Sequence, residues 1–210
     1  MKGSFLGPSY NNQQIKETIE DYKCNYKYLS DKEIIQFTAK NISEGNILGL
    51  FQGRMEFGPR ALGSRSILAD PRNNNMQKKI NMNIKFREGF RPFAPAILKE
   101  KVSEWFNLNI NSPYMSFVDF VKEDKRINLK NDNQDGFKKL EIKNSEIPAV
   151  THIDYSSRIQ TVDKFVNPVF HSILTEFNKI TSCPILVNTS FNVRGEPIVC
   201  RPSEAIRCFM

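Results

Sequence analysis

A mixed α/β (α+β) sheet fold is what this sequence predicts, and three observations predict it. Segments with apolar residues at helical spacing open the chain, short apolar runs of strand length follow, and the two kinds of segment are intermixed. With 210 residues the chain can bury one sizeable core but not two large ones. Hydrophobic residues make up 40% and charged residues 25%, a globular rather than a disordered balance.

Residues 1–10, with Gly3, Gly7 and Pro8, read as an extended leading segment. Ile15, Ile19 and Tyr22 then mark a helix over 11–22, and a Ser30-Asp31-Lys32-Glu33 capping box opens a second over 30–44. Gly45-Asn46 ends it, and Ile47 to Phe51 is a buried strand. Residues 53–72, rich in Gly, Pro and Arg, are expected to form an irregular loop. A short helix over 73–83, a turn over 87–95 and a helix near 99–106 follow, with Trp105 and Phe106 in the core. A strand is expected over 114–121, a solvated hairpin or loop over 122–146, and an extended stretch over 147–163. Val169, Phe170, Ile173, Leu174 and Phe177 set a helix over 168–180, and 184–188 is a buried strand.

Several function classes are disfavoured at once. The longest apolar runs, such as Ile185-Leu186-Val187, fall far short of the ~20 residues that cross a bilayer. Met1-Lys2-Gly3-Ser4 begins nothing like a secretory signal, which points to the cytoplasm. Cys24, Cys183, Cys200 and Cys208 lack paired spacing and a nearby His, so they read as free thiols rather than zinc ligands or disulfides. A net charge of +7 fits an anionic partner, either nucleic acid or a small polyphosphate.

Four blocks carry the chemistry. In Gly53-Arg54-Met55-Glu56-Phe57-Gly58-Pro59-Arg60-Ala61-Leu62-Gly63-Ser64-Arg65-Ser66, arginines alternate with glycines, so backbone and guanidinium forks can converge on phosphate oxygens. The alternative is a turn whose arginines pair with Glu56 and Asp70; Phe57, Leu62, Ile67 and Leu68 read as packing residues. In the second block, from Asn83 to Pro95, Lys85, Arg87 and Arg91 alternate with Phe86, Phe90 and Phe93, which suggests aromatics inside and cations outside rather than a stacking platform for single strands. The third, from Pro148 to Val162, projects Arg158 and Gln160 to one side of an extended segment and Ile159 to the other. His152 beside Asp154 reads first as a structural histidine and second as a base. The fourth, Val187-Asn188-Thr189-Ser190-Phe191-Asn192-Val193-Arg194-Gly195-Glu196-Pro197, follows a buried strand, where open sheets place ligands, and Asn188, Ser190 and Asn192 can donate to phosphate or ribose oxygens, the alternative being a turn stabilised by its own side chains. No Gly-Lys-Ser/Thr loop and no Gly-x-Gly-x-x-Gly turn is present.

In this order, and over about residues 45–207, the four blocks resemble the C-terminal domain of the NodU/CmcH-type O-carbamoyltransferases. The resemblance implies a YrdC-like twisted mixed sheet with flanking helices and an open, basic concave face. It implies binding of ATP, with magnesium, and of carbamoyl phosphate, to form carbamoyl-adenylate. A separate N-terminal domain of actin-like fold would pass the carbamoyl group to an acceptor hydroxyl. Carried over by position, catalytic roles fall on Lys85, Arg158 and Ser190, and substrate contacts on Arg60, Arg91 and Asn188. Arg54, Arg65 and Arg87 are further candidates for substrate contact or for holding the loop, Gln160 is a further candidate for substrate contact, and no magnesium ligand stands out. On this comparison residues 1–10 are a linker from the N-terminal domain and 11–210 the domain itself, ending before its last strand. The rival expectation is a YrdC-like module that binds a nucleotide or RNA without turnover, with nucleic acid the less expected partner.

Overall fold

The computed structural model describes residues 3–127 and 143–210. Two capped helices open the chain. In α1 (Asn12–Asp21) Asn11 and Gln14 form a reciprocal box, and in α2 (Asp31–Ser43) Ser30 and Glu33 do the same. The Ser30 hydroxyl and backbone N–H hold the Glu33 carboxyl below the usual carboxylate range. Thr38, Ala39 and Ile42 turn the inner face of α2 toward α5 (Pro168–Thr181), whose Phe170, Ile173, Leu174 and Phe177 are buried as the spacing predicts.

Helix α5 packs in turn on a six-stranded mixed sheet. Its strands are β1 (Leu48–Phe51), β2 (Arg65–Ala69), β3 (Ala94–Leu98), β4 (Phe117–Phe120), β5 (Ser156–Val162) and β6 (Ile185–Ser190), in the order β1-β2-β6-β3-β5-β4. Only β3 and β5 run parallel. The remaining helices are α3 (Met76–Asn83), the single turn α4 (Val102–Trp105) and α6 (Pro202–Phe209).

Several elements depart from expectation. Two strands lie where loop was expected: β2 begins inside the Arg- and Gly-rich block, and β3 begins in the Pro-rich turn. Both are fully buried, and their sequences disguise it with Arg65 at the head of one and Pro95 inside the other. The helix near 99–106 is a 3₁₀ turn followed by α4, with Trp105 and Phe106 buried as expected. The stretch 147–163 holds a 3₁₀ turn at Pro148–Val150 before β5. Helix α6 is an element that the apolar spacing does not announce, although Pro202 at its first position and Glu204 two residues later are a start signal. The 122–146 expectation lies mostly outside the described residues.

Of the expected packing residues, Leu62, Ile67 and Leu68 are buried, but Phe57 is exposed. The leading segment is tied down: Phe57 N–H donates to Ser4 O, Gly7 N–H to Met55 O, and Met55 N–H to Pro8 O. It forms a short ladder against the first loop.

Candidate anion-binding site

The register of the sheet gathers the predicted residues. Ala94 lies opposite Asn188, Ala96 opposite Gln160, and Val118 opposite Arg158. Since side chains alternate along each strand, Ser190 and Asn188 of β6 share one face with Gln160 and Arg158 of β5. The two alanines of β3 leave room between them. Across that gap Asn188 Nδ2 donates to Gln160 Oε1 at 2.6 Å and to Ala61 O at 3.0 Å, and Gln160 Nε2 donates to Leu62 O at 2.9 Å. Asn188 and Gln160 are therefore buried struts that hold the loop between β1 and β2 over this face. The buried Oδ1 of Asn188 has no partner among the described residues, and as an acceptor it suits an N–H or O–H rather than phosphate.

The same loop is held from inside by Glu56. Its Oε1 accepts from the backbone N–H groups of Leu62 and Ser64, each at 2.7 Å, and of Arg65 at 3.3 Å. Arg65 is wholly buried, its guanidinium 3.6 Å from the centre of the Phe51 ring and donating to the carbonyls of Gln52, Gly53, Ser64 and Pro8. Arg54 donates to the carbonyls of Leu6 and Gly7. Both arginines thus hold backbone, the second of the two roles open to them. Gly63 sits at φ +106 against Phe170, and a side chain there would collide with that ring. Asp70, the other acid considered as an arginine partner, takes Arg72 in a two-pronged ion pair.

Arg60 and Arg158 are different. Among the described residues neither has a carboxylate or carbonyl partner for its guanidinium. Burial and the nearby positive charge of Arg60 push Arg158 below its ordinary value. His152 lies close by. Burial lowers its pKa, Asp154 opposes this and Arg158 adds to it, which favours the neutral imidazole. Asp154 accepts from the Ser156 N–H and hydroxyl rather than orienting His152, which favours a structural histidine over a base.

The second basic cluster corrects an expectation. Lys85 is buried while Phe86 and Phe90 are exposed, with only Phe93 packed inside. The loop does not alternate as a strand would, because Phe86 adopts a left-handed φ of +46 and turns outward. Lys85 is drawn inward by four oxygens: Nζ donates to Ser190 O at 2.6 Å, Ser190 Oγ at 3.3 Å, Asn192 O at 3.0 Å and Asn192 Oδ1 at 2.8 Å. Ser190 Oγ also donates to Asn192 Oδ1 at 2.7 Å. Lys85, Arg87, Arg91, Arg194, Ser190 and Asn192 line a cavity of about 320 Å³, a size that suits a small ligand, together with Glu88, which pairs with Arg91 Nε at 2.8 Å. A larger cavity of about 720 Å³ shares Val193 with it, but is lined mainly by apolar residues such as Ile84, Phe191 and Phe209. The smaller cavity, with its convergent donors, is the better anion site.

Burial, and secondarily Arg87, lowers the Lys85 pKa from 10.5 to about 8. The unfolded chain then binds more protons between these two values, so this group's contribution to stability is least below about pH 8 and improves as pH rises toward 10.5. Anion binding needs the ammonium and runs the opposite way. The affinity for an anion held by Lys85 is expected to fall about tenfold between about pH 8.5 and 9.5. Titration calorimetry reads this directly, and an affinity flat across that interval would remove Lys85 from ligand contact.

An anionic ligand is the chemistry that this mixed sheet fits, with Arg60 and Arg158 left without an acidic partner among the described residues. The chain belongs to the carbamoyltransferase C-terminus family, whose model matches residues 39–210. It is 50% identical over 214 residues to an uncharacterised protein of Synechocystis, with all of this chain and 35% of that protein covered. It is 38% identical over 207 residues to the nodulation protein NolO of Bradyrhizobium diazoefficiens, covering 98% of this chain and 35% of that one. To the 3'-hydroxymethylcephem-O-carbamoyltransferase of Streptomyces clavuligerus it is 32% identical over 166 residues, 79% of this chain and 28% of the enzyme. The chain therefore spans about a third of the length of these relatives. No helix among the described residues is long and apolar enough to cross a membrane.

Proposed function

We propose that this chain is the part of a cytoplasmic carbamoyltransferase that binds ATP and carbamoyl phosphate and forms carbamoyl-adenylate, for transfer to an acceptor hydroxyl by an N-terminal domain. The observation that carries this reading is the pairing of Arg60 with Arg158, two cations brought together without a carboxylate between them among the described residues. Such repulsion is offset when an anion occupies the gap. Overall, carbamoyl phosphate, ATP and water give carbamoyl-adenylate, phosphate and pyrophosphate. Water takes the phosphoryl group of carbamoyl phosphate as its bridging O–P bond breaks, leaving carbamate and phosphate; a carbamate oxygen then bonds to the α-phosphorus, and pyrophosphate leaves with the electron pair of the α–β bridge. Such a step gains most from alignment and charge neutralisation. Lys85, Arg87, Arg91 and Ser190 would hold one phosphate group, and Arg158 with Arg60 the other. Asn188 offers an acceptor suited to the carbamoyl N–H.

Among the described residues no group of three or more His, Cys, Asp or Glu is arranged to hold a metal. Magnesium on this reading is held by the phosphates it accompanies, and no protein carboxylate is assigned to it.

Titration calorimetry with ATP, carbamoyl phosphate and duplex RNA at low and high salt tests the reading. Strict preference for ATP over GTP with a shallow salt slope is expected. Tight RNA binding that falls steeply with salt would overturn it in favour of a nucleic-acid module.

A further inference from the structure

Three of the basic residues that line the smaller cavity, Lys85, Arg87 and Arg91, come from one irregular loop, and the shape of that loop decides where their charges point. The loop has no ladder partner. Its first residues are held by the bonds of Lys85 to Ser190 and Asn192 and of Arg194 to Phe86 O, and its second half is held from helix α3, chiefly by one wholly buried side chain, Asn81. Asn81 Oδ1 accepts from Arg87 Nε at 2.6 Å, and its Nδ2 donates to Arg91 O at 2.8 Å and Gly89 O at 3.2 Å. Its own carbonyl accepts from the Arg87 N–H at 3.0 Å. One turn earlier on the helix, Gln77 Nε2 donates to Phe90 O at 2.7 Å.

These bonds use both amide donors and the amide acceptor of Asn81. Only a carboxamide offers both functions at this length. A carboxylate would keep the Arg87 contact but face two carbonyl oxygens, and an alkyl group would keep the volume and lose every side-chain bond. The bond to Nε also leaves both terminal nitrogens of the Arg87 guanidinium for a ligand, while Phe93 flanks the group with its ring centre at 5.1 Å.

We propose that Asn81 is a positioning residue for the anion site: it touches no ligand, and it fixes Arg87 and the 89–91 backbone so that the cavity's cations converge on one phosphate group. This rests on the functional reading above. It assigns the site's preorganisation to a residue outside the four sequence blocks' charged positions.

The test is a double-mutant cycle on ATP affinity in the full chain, with Asn81→Leu, Arg87→Ala and the pair. Asn81→Leu is expected to weaken ATP about tenfold, the worth of one hydrogen bond to a charged group. In the double variant the added loss should be less than about threefold, because Asn81 acts through Arg87. Asn81→Ser, polar but too short to reach all three partners, should show the same loss and covers the case in which the leucine variant does not fold. If the effects of Asn81→Leu and Arg87→Ala multiply in full, Asn81 has only a general structural role and the proposal fails. Wild-type affinity retained in either folded Asn81 variant overturns it as well. A wild-type chain that binds neither ATP nor carbamoyl phosphate overturns the functional reading and takes this inference with it, an outcome distinct from the other two.

Discussion

Replacing Arg158 by alanine is expected to reduce carbamoyl-phosphate-dependent pyrophosphate release by about 10²–10³-fold, the usual effect of removing one preorganised donor. The thermal midpoint should move by no more than about 2 °C, since a residue without a folded-state partner contributes little to stability. The combination follows from the local electrostatics. Arg158 is half-buried at the centre of β5, where its charge is partly desolvated, and Arg60 adds repulsion rather than relief. A position that is costly in the free protein and lacks an internal partner has its compensation in a bound anion. Arg60→Ala should behave alike. If the midpoint fell as far as activity, Arg158 would be a structural residue holding the sheet.

The opposite pattern is expected of Glu56. Its carboxylate accepts three backbone N–H groups under the loop that carries Arg60, and it is 5% exposed. Glu56→Ala leaves those donors buried without an acceptor, at a cost of about 3–5 kcal/mol, which lowers the midpoint by roughly 10 °C for a domain of this size. Activity should fall with stability, because Arg60 loses its fixed backbone. A calorimetric scan decides the matter: a midpoint within about 2 °C of wild type would mean that the struts from Asn188 and Gln160 hold the loop alone.

The two residues show which parts of the site the sequence reveals. Arg60, Arg158, Ser190 and Lys85 stand in blocks whose glycines, prolines and arginines mark ligand-facing loops, and the register of β5 and β6 across β3 brings Arg158 and Ser190 to one face, with Lys85 bonded to Ser190. Less legible is what a charged residue does once folded. Arg65 and Arg60 occupy the same block, five positions apart, yet one is wholly buried against Phe51 and backbone carbonyls and the other is exposed. Composition treats them alike; only the placement of β2 separates them. Lys85 and Phe86 exchange inside and outside because a single left-handed residue breaks the period on which the pattern depends. Pro95 hides a central strand for a related reason, since its missing N–H argues against the very position it takes. Glu56 reads from the sequence as an arginine partner, although the lone acid within a glycine-rich block is also a natural acceptor for the loop's own N–H groups. Asn81 gave no signal at all. Its importance comes from bonds to residues six to ten positions later, which no periodicity encodes.

The most direct test of the central claim is pyrophosphate release from magnesium-ATP by this chain, followed with and without carbamoyl phosphate. The account predicts release that requires carbamoyl phosphate and is accompanied by one phosphate for each pyrophosphate. Release that proceeds equally without carbamoyl phosphate, or none from a folded chain that binds both ligands, would contradict it.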